Sequence, residues 1–456
     1  MKQLKKLMAL LLALAMVLAL AACGSADDSG GSSDSGSSGN SGSADADGSA
    51  ATLDSSAELE VWIWDSDQQD GIQEICDLFT EDTGIAVKVN VVTWDNYWTL
   101  LEAGASGGEM ADVFWMHVQE ADKYMSNDIL LDLTSYIAAD DGIDMANYYE
   151  GAVETFTYDG KYYGIPKDHD INVLLYNKAI FDEYGFDYPD ETWTWETYYE
   201  VAAGITEASG GSVYGAAMNT TNDQDGWWNI VYAMGGSVIS EDGTTSTLDS
   251  DATKAAMEFV GKLVDDAFAP QSLVSENGTS GLFTNDLVAM ICQGNYTLAG
   301  FTDYDGSENY ATAVLPYYDA NGNGQCDDGE RVTIYNSLAW SASAASEHPD
   351  EAAALVLWLS SYDMQVKQAE LGVTLAGYVG ADGAYADVIT AKGIDASAVQ
   401  VMNDSATLIS YPHSYYTTTW QNYYREQLVN AWLDTSTMSS VLDDCAAYMN
   451  NILATE

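Results

Sequence analysis

Leu59-Glu60-Val61-Trp62-Ile63-Trp64 begins the part of the chain whose pattern indicates the fold most clearly. Apolar and polar residues alternate through it, which predicts a β-strand with one buried face. Residue patterns further along predict a helix over 68–80, a second strand over 85–92, a helix over 95–104 and a third strand over 111–116. Strands that alternate with helices are typical of a parallel sheet covered by helices, so the predicted fold class is α/β.

The remaining sequence continues with short strands and helices. Asp-Gly pairs within 158–166 and 238–244 predict two hairpins. An amphipathic pattern predicts a helix over 251–267, and 362–456 is predicted to be mostly helical. The chain has 456 residues, and one hydrophobic core rarely grows beyond about 300 residues, so two lobes are predicted.

The N-terminus has the composition of a secretory signal. Lysines at positions 2, 5 and 6 precede an apolar run over 7–22, which predicts a signal peptide over 1–22. The run ends in Leu20-Ala21-Ala22-Cys23, which resembles the lipobox of bacterial lipoproteins and implies that Cys23 carries lipid in the mature protein. A membrane-spanning anchor is the alternative, but about 16 apolar residues is short for a span that needs about 20.

A tether follows the lipobox. Residues 24–56 are almost entirely Ser, Gly, Ala and Asp, which cannot bury enough apolar surface to fold. We therefore predict a flexible, lipid-anchored linker over 23–56 with a reach of about 30 Å. The folded body is expected at the extracellular face of the bacterial cell membrane, attached only through its lipid, which excludes cytosolic metabolism.

Charge excludes several classes of partner. The chain has 71 acidic and 14 basic residues, a net charge of −57, and Arg331 and Arg425 are its only arginines. Nucleic acid is excluded because phosphate contacts require Lys and Arg, and an anionic ligand is disfavoured because bidentate arginine contacts are scarce. We interpret the acidity as a means of staying soluble, with adaptation to high salt as the alternative. Besides Cys23, the chain has four cysteines, Cys76, Cys292, Cys326 and Cys445. The sequence does not indicate which of these four form disulfides.

Short segments along nearly the whole mature chain match those of a known family, both in their residues and in their order. They are residues 59–65, 93–97, 111–116, 158–161, 164–168, 175–178, 181–182, 192–195, 227–228, 235–236, 283, 290, 294–296 and 338–340. Together they resemble the carbohydrate-type extracellular solute-binding proteins that supply ABC importers and are related to maltose-binding protein. The combined order of the segments, rather than any one of them, carries the resemblance.

The resemblance implies a two-lobe fold of the periplasmic-binding-protein type, with a hinge and a ligand cleft between lobes that close on the ligand. We place the first lobe at 57–168 with a return over about 332–365, and the second at 169–331, completed by about 366–456. It also implies a monomer that needs no cofactor, performs no catalysis and delivers its ligand to the permease subunits of an ABC importer. Family members often have Gly-Gly where this chain has Asn336-Ser337, so the family's backbone contacts to ligand are not carried over there.

Candidate ligand contacts in the first lobe follow from the chemistry of sugars. A sugar site needs flat aromatic rings for the apolar faces of the ligand and Asp, Asn or His for its hydroxyls. In open α/β sheets, ligands lie outside the carboxyl ends of the strands. The residues that the sequence places there are Trp64, Asp65, Trp94, Trp115 and His117. Core packing is the alternative for the tryptophans, and a buried, hydrogen-bonded histidine is the alternative for His117.

The segment that follows Pro166 carries two carboxylates at the expected hinge. We predict Asp168 as an acceptor for ligand hydroxyls, with a solvated hinge loop as the alternative. Asp170 lies two residues further on, and in an extended segment the two would share a face at roughly 7 Å. This spacing also suits the carboxylate pair of a glycoside hydrolase, so spacing alone does not exclude an enzyme.

Candidates in the second lobe are aromatic and amide side chains. We predict that Trp228, Asn295 and Tyr296 contact the ligand. Trp340 and the aromatic stretch 411–416 are further candidates. Packing in the core is again the alternative for each tryptophan.

One acidic loop matches the spacing of a calcium-binding loop. Five residues supply the oxygen ligands, namely Asp319, Asn321, Asn323, Gln325 and Glu330. Clear helical flanks are missing, so an acidic, glycine-rich turn between two strands is the alternative. Structural calcium is thus the one cofactor that the sequence offers.

The function predicted from the sequence is capture of a neutral mono- or oligosaccharide outside the cell for an ABC importer. Two alternatives stay open. One is a secreted glycoside hydrolase, and the other is a binding protein for a non-sugar solute such as a polyamine, which would suit the acidic surface.

Overall fold

A computed structural model of the chain describes residues 53–107 and 110–456. The predicted signal peptide, Cys23 and nearly all of the predicted linker lie outside these residues. The described chain builds two main sheets, each covered by helices.

The first sheet contains the strands predicted at the start of the folded chain. Its members are β1 (Glu58–Ile63), β2 (Ala86–Val91), β3 (Val113–His117), β6 (Ile165–Pro166) and β12 (Leu338–Ala342). Their order is β2-β1-β3-β12-β6. β1 pairs in parallel with β2 and β3, as predicted, whereas β12 is antiparallel to both β3 and β6.

The alternation of apolar and polar residues in β1 explains why this strand buries one face in the sheet. Leu59, Val61 and Ile63 are buried, and the residues between them are more exposed. Helix Gln69–Thr83 packs on the same core with Ile75. Each such side chain contributes about 1.5–3 kcal/mol on burial, so a shift of the strand by one residue would place the apolar set in solvent.

The second sheet is mixed rather than parallel. It contains β7 (Asn172–Asn177), β8 (Tyr214–Ala217), β9 (Val288–Gly294) and β10 (Tyr310–Ala313) in the order β10-β7-β9-β8. β7 is antiparallel to both β9 and β10, and only β8 runs parallel to β9.

The first predicted hairpin is confirmed. β4 (Thr157–Tyr158) and β5 (Lys161–Tyr162) are antiparallel. Asp159 and Gly160 join them with φ of 50° and 74°, and positive φ at both positions is what the Asp-Gly hairpin turn requires. The hairpin predicted over 238–244 is present in a minimal form, since one antiparallel bridge, between Ile239 and Ser246, closes the turn.

The last pair of strands and the helices complete the fold. β11 (Val332–Tyr335) runs parallel to β13 (Thr407–Ser410). The α-helices are Gln69–Thr83, Trp94–Gly107, Val118–Ser126, Thr134–Ala139, Glu150–Thr155, Lys178–Tyr184, Trp195–Ala208, Trp228–Ala233, Asp251–Asp266, Gln271–Thr284, Leu298–Phe301, Pro349–Ser360, Tyr362–Glu370, Tyr385–Ala391, Ser397–Ser405, Thr417–Leu433 and Met438–Leu453. The predicted helical C-terminal part is therefore confirmed, and within the described residues no helix is long and apolar enough to span a membrane.

Three stretches of chain meet where the two sheets are connected. Residues 167–171 lead from β6 to β7, and residues 336–337 lead from β11 to β12. The third stretch, residues 371–384, connects helix Tyr362–Glu370 to helix Tyr385–Ala391. Backbone bridges join Asp170 to Asn336, and Asp168 to Ala376 of this third stretch. We call these the crossing segments, and they form the floor of the site described next.

Candidate ligand-binding cleft

A cleft of about 500 Å³ lies between the two sheets and above the crossing segments. The side chains that border it come from both sheets and from the crossing segments. They are Trp64, Asp65, Ser66, Asp67, Gln68, Trp94, Trp115, His117, Gln119, Asp170, Thr221, Asn222, Gln224, Tyr296, Thr297, Asn336, Leu338, Tyr411 and Arg425.

Six of the ten ligand contacts predicted from the sequence border this cleft. Four follow or end the strands β1, β2 and β3, because the carboxyl ends of neighbouring parallel strands meet at one edge of a sheet, and a fifth, Trp115, lies two residues before the end of β3. The sixth comes from the second sheet, just after β9. They are Trp64, Asp65, Trp94, Trp115, His117 and Tyr296.

Tryptophans form one wall of the cleft, which we call the aromatic wall (Trp64, Trp94 and Trp115). The Trp64 ring lies 5.1 Å from Trp94 and 4.9 Å from Trp115, at angles of 82° and 80°. Trp115 is fully buried, whereas Trp94 exposes 39% of its surface. Trp94 is therefore the most exposed residue of the wall, and its ring packs 5.1 Å from Trp64 and 5.5 Å from His117.

His117 is a buried, neutral histidine. Its Nδ1 accepts from the Gln119 backbone N–H at 3.1 Å, so Nε2 carries the proton. Nε2 lies 2.9 Å from Asn336 Nδ2, and a half-turn of this amide places the otherwise unpartnered Oδ1 where it accepts that proton. Burial, together with the Arg425 charge, lowers the pKa of His117 to about 3. Its ring nitrogens are thus occupied within the protein, as in the alternative raised from the sequence.

Asp168 does not border the cleft, which corrects the prediction for the hinge. Its carboxylate lies 2.7 Å from Lys167 Nζ and accepts from the Leu338 backbone N–H at 2.6 Å. Both side chains are buried, and the ion pair occupies the carboxylate. The hinge carboxylate that reaches the cleft is Asp170.

Three further predicted contacts, Trp228, Asn295 and Trp340, are fully buried and do not border the cleft. The Trp228 ring packs 4.9 Å from Tyr411, and it is Tyr411 that reaches the cleft. Asn295 Oδ1 accepts from the Ile171 backbone N–H at 2.7 Å. Trp340 lies in the middle of β12, paired with Trp115 of β3. The structure assigns all three to the core that supports the cleft.

The wall formed by the second sheet is polar and its cation is already paired. Arg425 Nε donates to Asp223 Oδ2 at 2.9 Å, and Asp223 is fully buried. The Tyr296 hydroxyl donates to Asp225 at 3.0 Å, and Asn222 donates to the same oxygen at 2.6 Å. Burial raises the pKa of Asp225 to about 7. No unpaired cation is therefore presented to an anionic ligand by this wall.

The sequence named six of the 19 residues that border the cleft as ligand contacts, and a seventh, Tyr411, through the candidate stretch 411–416. Asp67 and Gln68 lie four and five residues after Ile63, the last residue of β1, so the strand-end rule could have found them. Asn222, Gln224 and Arg425 stand in segments without any motif, and only the tertiary fold brings them to the cleft. The contribution of Tyr411 also depends on its packing against Trp228.

The predicted calcium loop is closed by its own hydrogen bonds. The Asp319 carboxylate accepts from the backbone N–H groups of Asn323 at 3.0 Å and Gly324 at 2.9 Å. Glu330 accepts from Ala320 at 3.0 Å and from Asp327 at 2.9 Å. No group of three or more His, Cys, Asp and Glu side chains placed to hold a metal occurs within 53–107 and 110–456. The four cysteines of this part of the chain are unpaired, namely Cys76, Cys292, Cys326 and Cys445.

Two α/β halves joined by crossing segments, with a cleft of aromatic and hydrogen-bonding side chains between them, define a receptor for a small solute. The chain belongs to the family of bacterial extracellular solute-binding proteins, whose model matches residues 65–366. This family consists of binding proteins, so the chain is a receptor and not an enzyme.

Relatives and solved structures agree with that assignment. The lactose-binding protein of Rhizobium radiobacter is 24% identical over 305 residues, 65% of this chain and 69% of the relative. The galactooligosaccharide-binding protein of Bacillus subtilis is 22% identical over 67% of this chain and 69% of its own. The ABC substrate-binding protein Lmo0181 of Listeria monocytogenes, in complex with cycloalternan, has a TM-score of 0.77 at 21% identity, over 88% of this chain and 99% of its own. Maltose-bound MalE3 of T. maritima has a TM-score of 0.72 at 18% identity, over 87% of this chain and 100% of its own. The predicted two-lobe α/β fold is thus confirmed.

Proposed function

We propose that this receptor captures a neutral mono- or oligosaccharide in the cleft and delivers it to the permease of an ABC importer. The observation that carries the proposal is the exposed Trp94 side chain on one wall of a cleft that is otherwise bordered mostly by hydrogen-bonding side chains. An aromatic ring matches the apolar face of a sugar, and amides and carboxyls match its hydroxyls. The sugar ligands named for relatives and structural neighbours support the same class.

Charge in the cleft favours a ligand without negative charge. Arg425 and Lys167 are each paired with a buried carboxylate, so neither offers a free positive charge to a phosphate or uronate. Asp65 and Asp67 border the cleft, and burial together with the Asp65 charge raises the pKa of Asp67. These two carboxylates make a polyamine the second candidate.

The location and partners that we propose rest on the sequence. Lipid attachment at Cys23 would hold a monomeric receptor at the extracellular face of the membrane, and the linker over 23–56 would let it reach the permease. Membership of an extracellular family supports this location.

Structural calcium in the 319–330 loop stays a prediction. Its acidic side chains already accept backbone N–H groups, so the loop closes without a metal. If calcium binds there, it raises the melting temperature of the wild type and has no effect on Asp319→Ala/Glu330→Ala. An equal rise in both proteins would place the calcium elsewhere.

A thermal-shift screen tests the proposed ligand class. We expect neutral saccharides to raise the melting temperature, since a ligand at about 100 times its Kd adds about 2.7 kcal/mol to the stability of the folded state. Spermidine, glycerol phosphate and galacturonate serve as the cationic and anionic comparison. Stabilisation by spermidine alone would replace the sugar with a polyamine, and stabilisation by the anions alone would contradict the charge argument.

A further inference from the structure

Asp170 occupies the point of the cleft floor where the crossing segments meet. Its backbone N–H donates to the Asn336 carbonyl at 2.8 Å, and the Asn336 N–H donates back to the Asp170 carbonyl at 3.0 Å. Only 3% of the surface of Asp170 is exposed, and that residue borders the cleft. A ligand that touches Asp170 therefore touches the hinge itself.

The two carboxyl oxygens of Asp170 have different surroundings. Oδ1 accepts from Thr374 Oγ1 at 2.9 Å and from Asn295 Nδ2 at 3.4 Å. Oδ2 has no hydrogen-bond partner within the part of the chain that the structure describes, and it is not among the fully enclosed unpaired atoms. Oδ2 is thus the oxygen left for a ligand.

Asp170 forms no ion pair with any basic side chain in the described part of the chain. Asp168, two residues away, takes the one nearby lysine, because Lys167 Nζ lies 2.7 Å from the Asp168 carboxylate. The other titratable groups that face Asp170 are Tyr296 and Tyr385 of the second lobe, and neither supplies a positive charge. Burial, and after it the Asp168 charge, hold the pKa of Asp170 well above its usual range, and the opposing effects of the Lys167 charge and of the hydrogen bonds from Thr374 and Asn295 offset this only in part.

We propose that Asp170 meets the ligand as a neutral carboxylic acid and donates its Oδ2–H to an oxygen atom of the ligand at the cleft floor. The proton sits on Oδ2 because Oδ1 already accepts from two donors. No other oxygen of this carboxyl is free to carry it.

A donor at this position selects the chemistry of the ligand atom. A hydroxyl, ring or glycosidic oxygen of a sugar can accept this hydrogen bond, whereas an ammonium group has no lone pair with which to accept it. Asp170 would therefore favour a saccharide over a polyamine at the hinge, although Asp65 and Asp67 border the same cleft. The inference rests on the proposed saccharide function for its ligand and on the crossing segments for its geometry.

A pair of substitutions tests the protonation state through binding. Asn at position 170 places an amide oxygen where Oδ1 accepts and an N–H donor where Oδ2–H donates, so it mimics the neutral acid. With lactose, maltose and maltotriose as probes in titration calorimetry, we expect Asp170→Asn to bind within about threefold of the wild type. Asp170→Ala should bind about tenfold more weakly, the loss of one hydrogen bond. If Asp170→Asn is as weak as Asp170→Ala, the carboxyl acts as an ionised acceptor and the proposal is wrong.

A second measurement needs no ligand and separates this inference from the proposed function. A carboxyl whose pKa is raised by folding stabilises the folded state fully below its unfolded pKa of about 3.9, and that stability is lost as the pH rises toward the folded pKa. Urea unfolding from about pH 5 to about pH 9 should therefore show the wild type losing stability relative to Asp170→Asn, by up to about tenfold in the unfolding equilibrium constant per pH unit. Parallel curves for the two proteins would overturn the proposal even if sugars bind. Diverging curves with no binding of the three sugars would uphold the neutral acid and count against the proposed ligand class.

Discussion

Trp228→Ala is expected to lower the free energy of unfolding by about 3–5 kcal/mol, because it removes a large side chain from a closed core. Trp228 is fully buried, and its ring lies 4.9 Å from Tyr411 and 6.1 Å from Trp227. Denaturant unfolding followed by circular dichroism measures this loss.

The same variant separates a core role from the ligand contact that the sequence predicted for Trp228. Trp228→Phe, which keeps much of the volume, should recover a large part of the stability and bind sugar like the wild type. A Trp228→Ala protein with unchanged stability and weakened binding would place the ring in the cleft after all.

Trp94→Ala is expected to weaken saccharide binding by about 2 kcal/mol, about 30-fold in Kd, because it removes the open ring of the aromatic wall. The cost to folding should be much smaller than at Trp228, since 39% of Trp94 is already exposed to solvent. Titration calorimetry with the sugar that gives the largest thermal shift measures the change in affinity.

Tyr304→Ala is the control for Trp94→Ala. Tyr304 is 50% exposed and does not border the cleft, so its removal should leave the affinity unchanged. If both variants bind like the wild type while Trp94→Ala remains folded, the aromatic wall does not hold the sugar.

The first sheet could be predicted because its signal is local. Each of β1, β2 and β3 carries its own apolar pattern, and a helix separates each from the next. The antiparallel strand β12 joins the same sheet from about 220 residues further along the chain, and no pattern in Leu338–Ala342 states which strand it will pair with. The pairing of the strands in the mixed second sheet could not be predicted for the same reason.

The site was predicted best where it follows from the sheet. Trp64, Asp65 and His117 were found because the carboxyl ends of parallel strands converge. At the hinge the sequence offered Asp168 and Asp170 on one face of an extended segment, and only the structure shows that Lys167 and the Leu338 N–H occupy Asp168.

The choice between core and cleft for the tryptophans depended on tertiary packing. Trp228 and Trp94 have equal chemistry, but Trp228 is covered by neighbours such as Tyr411, which is more than 180 residues away in sequence. A pattern of residue types carries no information about such cover, so aromatic composition alone could not separate them.

Closure of the two lobes on a saccharide is tested by small-angle X-ray scattering of the wild type with and without sugar. A ligand that contacts both lobes binds the closed state better and must shift the population toward it. At a sugar concentration that saturates the wild type by calorimetry, we predict a smaller radius of gyration than without sugar. At a concentration near the wild-type Kd, Trp94→Ala, which we expect to bind about 30-fold more weakly, should show little change. An unchanged radius of gyration in the saturated wild type would contradict closure of the lobes on the sugar.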